Sequence, residues 1–496
     1  MATPWPPTDP PCPGTGTPAP TLTELIIMNK TKLPLLALVF LGFQIAAFGA
    51  TAPTPVPQSV PNPAVAPGAP GSPAVLQAAP SASPGQDLWT RDSLFGDLGG
   101  TRTTLADHGI VFAPVYTGEV LGNFMGGAGG YATASQNGHV GRGVIYEHSL
   151  DLPLDVDLSR LVPGWDGATF HANALWIAGP GLSQSYVGNV SNLSNIEGYN
   201  TVRLQELWYQ QNFLKDRISL KIGQIAADSE FFTSRTASLF VNGTFGNFTL
   251  TGANLPDPHD FPAYPTAAPA VRLRVQPVDQ FYAQVAVFNG STESQPANNN
   301  GTDFPVNSES GALVMSEIGY LLNQGAGAEG LPGTYKLGSF VHTHDFTSWS
   351  SQAAGAPVSA GCDYGVYGVA DQQLYAQEGR SISVFTRLGY APPEVNAIDW
   401  YVDGGFNFTG FIPSRPKDII GIAFSRSQFS GDYSDAQTVL HGTNSYSAET
   451  VVESTYKIRL TPWWTLQPDF QYVFTPSGID GSHDAAVLGI RTAVTF

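Results

Sequence analysis

Charged and aromatic residues recur at alternate positions within otherwise apolar stretches of the chain. Their carboxylate, guanidinium, ammonium and indole groups can hydrogen-bond a polar solute or stack against it. Each residue could instead pair with an opposite charge and stiffen the protein. We predict that the following residues line one polar surface: Glu206, Trp208, Lys221, Arg272, Arg274, Arg387, Asp403, Glu453, Lys457, Arg459, Asp469 and Arg491.

Among the predicted residues, Glu206 and Trp208 are the pair that we most expect to bind a solute. They are two residues apart, so in a strand they share one face. Leu207 and Tyr209 are also bulky, which makes the alternation irregular over residues 204–211. A shift of one residue would turn the pair to the opposite face.

The sequence contains no convincing catalytic or metal site. His342 and His344 could share a strand face, but neither Cys nor clustered carboxylate ligands lie near them. Residues 481–484 hold Ser, His and Asp side by side, which is not the spatial arrangement of a catalytic triad. Residues 126–130 are rich in glycine but lack the Lys-Ser/Thr of a phosphate-binding loop. We predict no enzyme activity, no metal and no cofactor.

The composition excludes several classes of protein. Only 12% of the 496 residues are charged, against about 25% in ordinary soluble proteins. The chain has 40 acidic and 22 basic residues, a net charge of -18, which argues against a nucleic-acid partner. Its two cysteines, Cys12 and Cys362, cannot frame a disulfide-stabilised fold.

The N-terminal part has the pattern of an export signal. Lys30 and Lys32 precede an apolar stretch over residues 33–48 that ends in small residues and is shorter than a spanning helix. We predict an upstream extension over 1–27, a cleaved signal peptide over 28–50 and a Pro/Ala-rich spacer over 51–88. An uncleaved anchor is the alternative.

The rest of the chain alternates with a period of two, which indicates antiparallel strands in an all-β fold. Residues 464–472 and 488–496 show it clearly, with one apolar and one polar or small-residue face. A tilted spanning strand with its connection takes roughly 25 residues, so the 408 residues after residue 88 (496 minus 88) allow about sixteen strands. A barrel of that size encloses an aqueous channel rather than a packed interior. We place a periplasmic segment with a short helix at 89–110 and the barrel at 111–496.

Three features favour a transmembrane β-barrel over a soluble β-sandwich, which would also show this alternation. Short connections, such as 215–216, contrast with long ones over 227–268 and 290–308. The chain ends on Phe496, in the manner of outer-membrane proteins. Aromatic residues gather near strand ends, as in an interfacial girdle: Trp400, Tyr401, Trp463, Trp464, Tyr472 and Phe474.

Several motifs resemble those of carbohydrate-selective porins of the OprB type, over roughly residues 88–496. They comprise residues 94–102 with 105–110, 207–211 with 220–224, 371–375, 385–390, 410–418, and 466–472 with 488–492. Leu98 and Gln373 depart from the residues common in the family, Trp and Met. The resemblance implies a sixteen-stranded outer-membrane barrel that admits monosaccharides such as glucose.

The resemblance favours passive diffusion of small neutral sugars through a polar lumen, where the residues named above would contact them. A general or anion-favouring porin is the alternative, given the inward Arg and Lys residues. An enzyme or adhesin built on a barrel is a third hypothesis, motivated only by the long loops. The expected partners are outer-membrane lipid and, through Phe496, the barrel-assembly machinery. The sequence leaves a monomer and a homotrimer open.

Overall fold

The computed structural model describes residues 87–128, 141–256, 258–292, 299–325, 327–442 and 445–496. The predicted upstream extension, the signal peptide and all but the last two residues of the predicted spacer lie outside the described residues, as does Cys12.

Within these ranges, seventeen strands form one antiparallel sheet. They are β1 Ile110–Phe112, β2 Val115–Gly127, β3 Gly143–Asp157, β4 Ala168–Ala178, β5 Thr201–Phe213, β6 Ile218–Ile225, β7 Ala268–Val278, β8 Phe281–Asn289, β9 Ala312–Leu322, β10 Gly333–Thr347, β11 Ser359–Gln377, β12 Arg380–Tyr390, β13 Ile398–Thr409, β14 Ile419–Phe429, β15 Ala448–Arg459, β16 Trp464–Phe474 and β17 His483–Thr495.

Strands β2 to β17 close into a sixteen-stranded barrel, as the sequence predicted. Each strand pairs with its neighbours in the sequence, and β17 returns to pair with β2, so no barrel strand is left with a free edge. The short β1 lies outside this cycle and pairs with β3. One closed sheet excludes the two-sheet sandwich that the sequence left open.

The helices are short and lie between strands or before them. They are α1 Thr101–Asp107, α2 Leu158–Leu161, α3 Thr249–Gly252, α4 Trp349–Ala353 and α5 Gly431–His441, with a π-helix at Ser183–Val187 and 3-10 turns at Ala227–Ser229, Ala237–Leu239, Gly243–Phe245, Asn299–Gly301 and Pro476–Gly478. Within the described ranges, no helix has the length and apolar character needed to cross a membrane.

The two faces of the barrel differ as the alternation predicts. Outward positions such as Val144, Ile222 and Leu488 leave half or more of their apolar side chains exposed, which suits contact with lipid. Inward positions such as Glu453 and Arg387 are polar and fully buried. One assignment to the aromatic girdle is wrong: Tyr401 faces inward and is 1% exposed, because it is in phase with Asp403 on β13.

The two ends of the barrel differ in the length of their connections. At one end the strands are joined by turns such as 214–217, 279–280 and 378–379. At the other end the connections include 179–200, 226–267, 290–311 and 430–447. Outer-membrane barrels have short periplasmic turns and long extracellular loops, so the short end is the periplasmic one.

The described N-terminal residues pack against the periplasmic end of the last strand. The Leu94 amide donates to the Thr495 carbonyl at 2.8 Å, and Arg102 Nη2 donates to the Phe496 carbonyl at 2.5 Å. Trp463, predicted in the aromatic girdle, is covered here and donates from Nε1 to the Leu88 carbonyl at 2.8 Å.

Two of the long connections fold into the barrel, which the sequence analysis did not predict. We call residues 179–200 the first inner segment and residues 226–256 with 258–267 the second inner segment. Backbone amides of these segments donate hydrogen bonds to inward side chains of distant strands. The Ser191 amide, for example, donates to Glu449 on β15. The expected open aqueous channel is therefore partly filled by the chain's own connections.

A cation on the outer face should destabilise the barrel. Val285 points outward near the middle of β8, between Leu273 and Ser316 on its neighbours, and is 39% exposed. Val285→Arg should lower the free energy of unfolding in lipid vesicles by about 2–4 kcal/mol, because a guanidinium group would enter the hydrocarbon layer. Denaturant titration measures the change. Val285→Thr is the control, and an equal loss in both variants would contradict a lipid-facing position.

Candidate functional site

Buried carboxylates on the barrel wall hold the second inner segment in the lumen. Glu317 on β9 accepts the Phe232 amide at 3.0 Å, and Asp371 on β11 accepts the Thr236 amide at 3.2 Å. Glu453 on β15 accepts the amides of Val241 and Asn242 at 2.7 and 2.9 Å. An amide buried without an acceptor would cost roughly 1–3 kcal/mol, so these contacts fix the path of the segment.

Two further wall carboxylates anchor the inner segments, one at the start of the second segment and one near the middle of the first. Glu206 on β5 accepts the Ala226 amide at 3.0 Å, where the second inner segment leaves β6. Glu449 on β15 accepts the amides of Val190 and Ser191, both at 2.8 Å, from the first inner segment. Both carboxylates are therefore engaged with the chain's own backbone.

A β-bulge explains the irregular pattern that the sequence shows around residue 206. Asn173 pairs with Glu206 and the next residue, Ala174, pairs with Leu204, so Gln205 is an extra residue in β5. Gln205, Glu206 and Trp208 are all buried on the lumen side. Whether Glu206 and Trp208 bind a solute stays a prediction.

Arg387 and Asp403 form a fully buried ion pair between β12 and β13. Arg387 Nε donates to Asp403 Oδ2 at 2.9 Å, and Nη2 donates to the Thr244 carbonyl of the second inner segment, also at 2.9 Å. Tyr401 donates its hydroxyl to Asp403 at 2.7 Å. The guanidinium carbon lies 4.5 Å from the centre of the Phe248 ring. This pair therefore ties the wall to the inner segment.

Lys221 and Arg272 share one carboxylate of the second inner segment. Lys221 Nζ lies 2.5 Å from Glu230 Oε1, and Arg272 Nε lies 3.1 Å from Glu230 Oε2. Burial alone would raise the pKa of Glu230, but these two cations outweigh it and hold that pKa below its usual value. Lys221 Nζ also lies 3.6 Å from the centre of the Trp208 ring.

The remaining predicted residues lie along the same wall. Arg491 Nε donates to Glu119 at 2.6 Å, and Asp469 accepts from Gln471 at 2.9 Å. The Arg274 guanidinium lies 3.8 Å from the Tyr282 ring centre. Lys457 and Arg459 end β15 at the periplasmic side. Whether any predicted wall residue contacts a sugar stays a prediction.

Aromatic packing completes the attachment of the second inner segment. Phe231, Phe232 and Phe248 are fully buried, and Phe248 stacks on Tyr401 with ring centres 5.1 Å apart. Burying one such side chain contributes roughly 1.5–3 kcal/mol. The sequence carries a signal for this packing, because a long connection that contains several phenylalanines is more apolar than an exposed surface loop.

A cavity of about 140 Å³ lies in the lumen, between the two inner segments. The following residues line it: Val190, Asn192, Ser194, Asn195, Glu197, Asp228, Gly243, Thr244, Gly246, Asn247, Phe248, Thr249, Gly252 and Tyr264. The predicted set of wall residues contributes none of these. The alternation of polar and apolar residues does not reveal the cavity, because the residues that line the cavity belong to connections rather than to strands.

The lining of the cavity suits a polyhydroxylated ligand. Asparagine amides, serine, threonine and tyrosine hydroxyls and two carboxyl groups supply donors and acceptors. Asn195 Oδ1, Glu197 Oε1 and Asp228 Oδ1 are buried and have no hydrogen-bond partner among the described residues. Buried polar atoms normally have partners, so these three acceptors mark the cavity as a binding site.

The predicted rim histidines pack together at the extracellular side of the barrel. His342 Nε2 lies 3.0 Å from the Gly290 carbonyl, and His344 stacks on His259 with ring centres 3.7 Å apart. In the part of the chain that the structure describes, no group of three or more His, Cys, Asp and Glu is arranged to hold a metal ion.

Comparisons with known proteins agree with this architecture. The family described as carbohydrate-selective porin, OprB family, matches residues 141–496. Porin B of Pseudomonas aeruginosa is 27% identical over 437 residues, which cover 81% of this chain and 91% of that protein. The putative porin QuiX of Acinetobacter baylyi is 22% identical over 440 residues, 83% of this chain and 95% of that protein. A high-pH structure of Pseudomonas putida OprB superposes with a TM-score of 0.72 and 25% identity, over 83% of this chain and 100% of that chain.

Removing one wall anchor should widen the channel. Glu453→Ala leaves two buried amides of the second inner segment without their acceptor, which costs roughly 1–3 kcal/mol for each unsatisfied group. We expect a higher single-channel conductance in planar bilayers and entry of larger sugars into liposomes. Ser454→Ala is the matched control, because Ser454 is the next residue of β15 and faces outward. Unchanged conductance in Glu453→Ala would show that this carboxylate does not hold the segment in place.

Proposed function

The chain belongs to the carbohydrate-selective porin family of the OprB type, and we propose that its sugars pass through the cavity between the two inner segments. The protein is an outer-membrane β-barrel channel for carbohydrates. The observation that carries the proposal is a lumen cavity lined by amides, hydroxyls and carboxyl groups. Neutral monosaccharides such as glucose match this lining, because each hydroxyl both donates and accepts hydrogen bonds.

The mechanism is passive diffusion past a constriction that the chain itself forms. The inner segments reduce the wide bore of a sixteen-stranded barrel, and wall anchors keep them from moving aside. A sugar exchanges hydrogen bonds with water for bonds with the lining, so it can both enter and leave. A bare ion finds fewer compensating contacts there than a solute with many hydroxyls.

The anion-favouring alternative is less well supported than sugar selectivity. It was motivated by the inward Arg and Lys residues, but four of the seven predicted inward cations are each paired with a carboxylate: Lys221, Arg272, Arg387 and Arg491. Porins of this family and fold are channels, which favours transport over the hypothesis of an enzyme or adhesin.

We also propose that residues 28–50 act as a cleaved export signal and that residues 51–88 are a spacer. The support is the order of features: two lysines, an apolar stretch of signal-peptide length and then a proline-rich stretch without charged residues up to residue 86. Recognition of Phe496 by the barrel-assembly machinery, and the choice between monomer and homotrimer, stay predictions.

Planar-bilayer conductance titrated with glucose tests the proposed function. The reconstituted protein should conduct salt, and glucose should reduce the current in a saturable way. Asn192→Leu should weaken this block by a factor of about two to ten, the loss of one net hydrogen bond. Asn192 lines the cavity, is exposed to the lumen and has a short side chain that Leu replaces without a large change in volume.

Gln184→Leu is the matched control for this measurement. Gln184 is an exposed residue of the same inner segment and does not line the cavity. It should therefore leave the glucose titration unchanged. Absence of both conductance and glucose entry into liposomes would overturn the proposed function. An equal effect of the two variants on the glucose titration would show that the sugar binds elsewhere.

A further inference from the structure

The charged side chains that line the cavity are acidic. Among the described residues that line it, Glu197 and Asp228 are the ionisable acids, and no lysine or arginine accompanies them. Glu197 belongs to the first inner segment and Asp228 to the second, so the carboxyl groups come from different parts of the chain. A solute in the cavity therefore meets acidic groups without a compensating cation.

Each carboxyl group is held through one oxygen. Glu197 Oε2 accepts from Ser183 Oγ at 2.8 Å, and Asp228 Oδ2 accepts the Tyr264 amide at 3.1 Å. The second oxygens, Glu197 Oε1 and Asp228 Oδ1, have no hydrogen-bond partner among the described residues. The groups are thus fixed in position by the two inner segments.

The neighbouring cations do not neutralise these two acids. Arg491 contacts the lining residue Ser194 at 3.1 Å, but its Nε is bound to Glu119. Arg387 contacts the Thr244 carbonyl, but its charge is paired with Asp403. Each guanidinium group lies behind the lining and already has a carboxylate partner, so the net charge that faces the cavity is negative.

The other groups that face the two acids are mostly acidic as well. Glu119 on β2 and Glu147 on β3 face Glu197, while Glu206 on β5 faces Asp228. Burial raises the pKa of Glu197 and the pKa of Asp228 to about 7 each. Because these pKa values are raised, the acids are mainly neutral below pH 7 and mainly charged above it.

Building on the proposed sugar pathway, we propose that Glu197 and Asp228 select sugars by charge. The cavity binds amino sugars in their ammonium form more tightly than neutral sugars and excludes sugar acids and sugar phosphates. An ammonium group donates hydrogen bonds to the carboxylates and offsets their charge, whereas an anionic sugar would be repelled in a partly desolvated site.

The test compares three hexose derivatives at pH 7 in planar bilayers and liposomes: glucosamine, glucose and glucuronate. For the wild-type protein, the concentration of glucosamine that halves the current should be about tenfold lower than that of glucose, the effect of one charge-assisted contact. Glucuronate should neither block the current nor enter liposomes at the rate of glucose.

Glu197→Gln and Asp228→Asn keep the shape of the side chains and remove their charge. In the double variant, the ratio of the glucosamine and glucose half-blocking concentrations should fall to about one, whatever happens to glucose binding itself. Asp435→Asn is the control, because Asp435 is an exposed carboxylate of helix α5. The control should keep the wild-type ratio.

The pH dependence of ion selectivity provides a second measurement on the unaltered protein. The reversal potential in a KCl gradient should shift towards K⁺ selectivity between pH 6 and pH 8 as the two acids lose their protons. The double variant should lack most of this shift. Any part that remains comes from other ionisable groups of the lumen.

The outcomes separate this inference from the proposed function. Saturable glucose block with equal affinity for glucosamine, or entry of glucuronate as fast as glucose, would overturn the charge selection and leave the sugar channel intact. Loss of discrimination in the double variant, with heat-modifiable electrophoretic mobility retained to show a folded barrel, would support it. No glucose block at all would instead contradict the proposed function.

Discussion

Hydrogen bonds from backbone amides to buried carboxylates of the barrel wall are the interaction on which the interior of this protein depends. Glu206, Glu317, Asp371, Glu449 and Glu453 each receive amides of an inner segment. Without such acceptors, the amides of an irregular segment inside a barrel would be buried and unpaired, which costs more than the segment could regain by packing. The anchors therefore decide that the bore is narrowed rather than open.

The paired charges of the wall have a structural role that follows from the same requirement. A buried cation without a partner is strongly unfavourable, so Arg387, Arg272 and Arg491 each lie against a carboxylate. Several of these pairs also reach the inner segments, through Thr244 and Glu230 for example. The paired charges of the wall thus act as a scaffold, whereas Arg203 on β5 is buried with no hydrogen-bond partner for its guanidinium nitrogens among the described residues.

A fixed barrel wall with a lining formed by the inner segments suits a selective channel. A rigid wall with a narrow, polar constriction favours solutes that replace their hydration shell with several hydrogen bonds, which sugars can do and bare ions cannot do equally well. Phe248, a residue of the lining, is held in place by the wall, because its buried ring packs against Arg387 and Tyr401. A residue that shapes the lining is in this way fixed by the wall.

The sequence by itself determined the barrel, because the alternation that defines lipid-facing and lumen-facing sides is local and repeats in every strand. The same alternation placed Lys221 and Asp403 on the polar side of their strands, and the irregular stretch over residues 204–211 was visible in the sequence, although the extra residue Gln205 was not. Only the tertiary structure decided the partner of each charge and the path of residues 226–267. The reason is distance along the chain: the bond between Asn242 and Glu453 joins residues 211 positions apart, and no local pattern records such a contact.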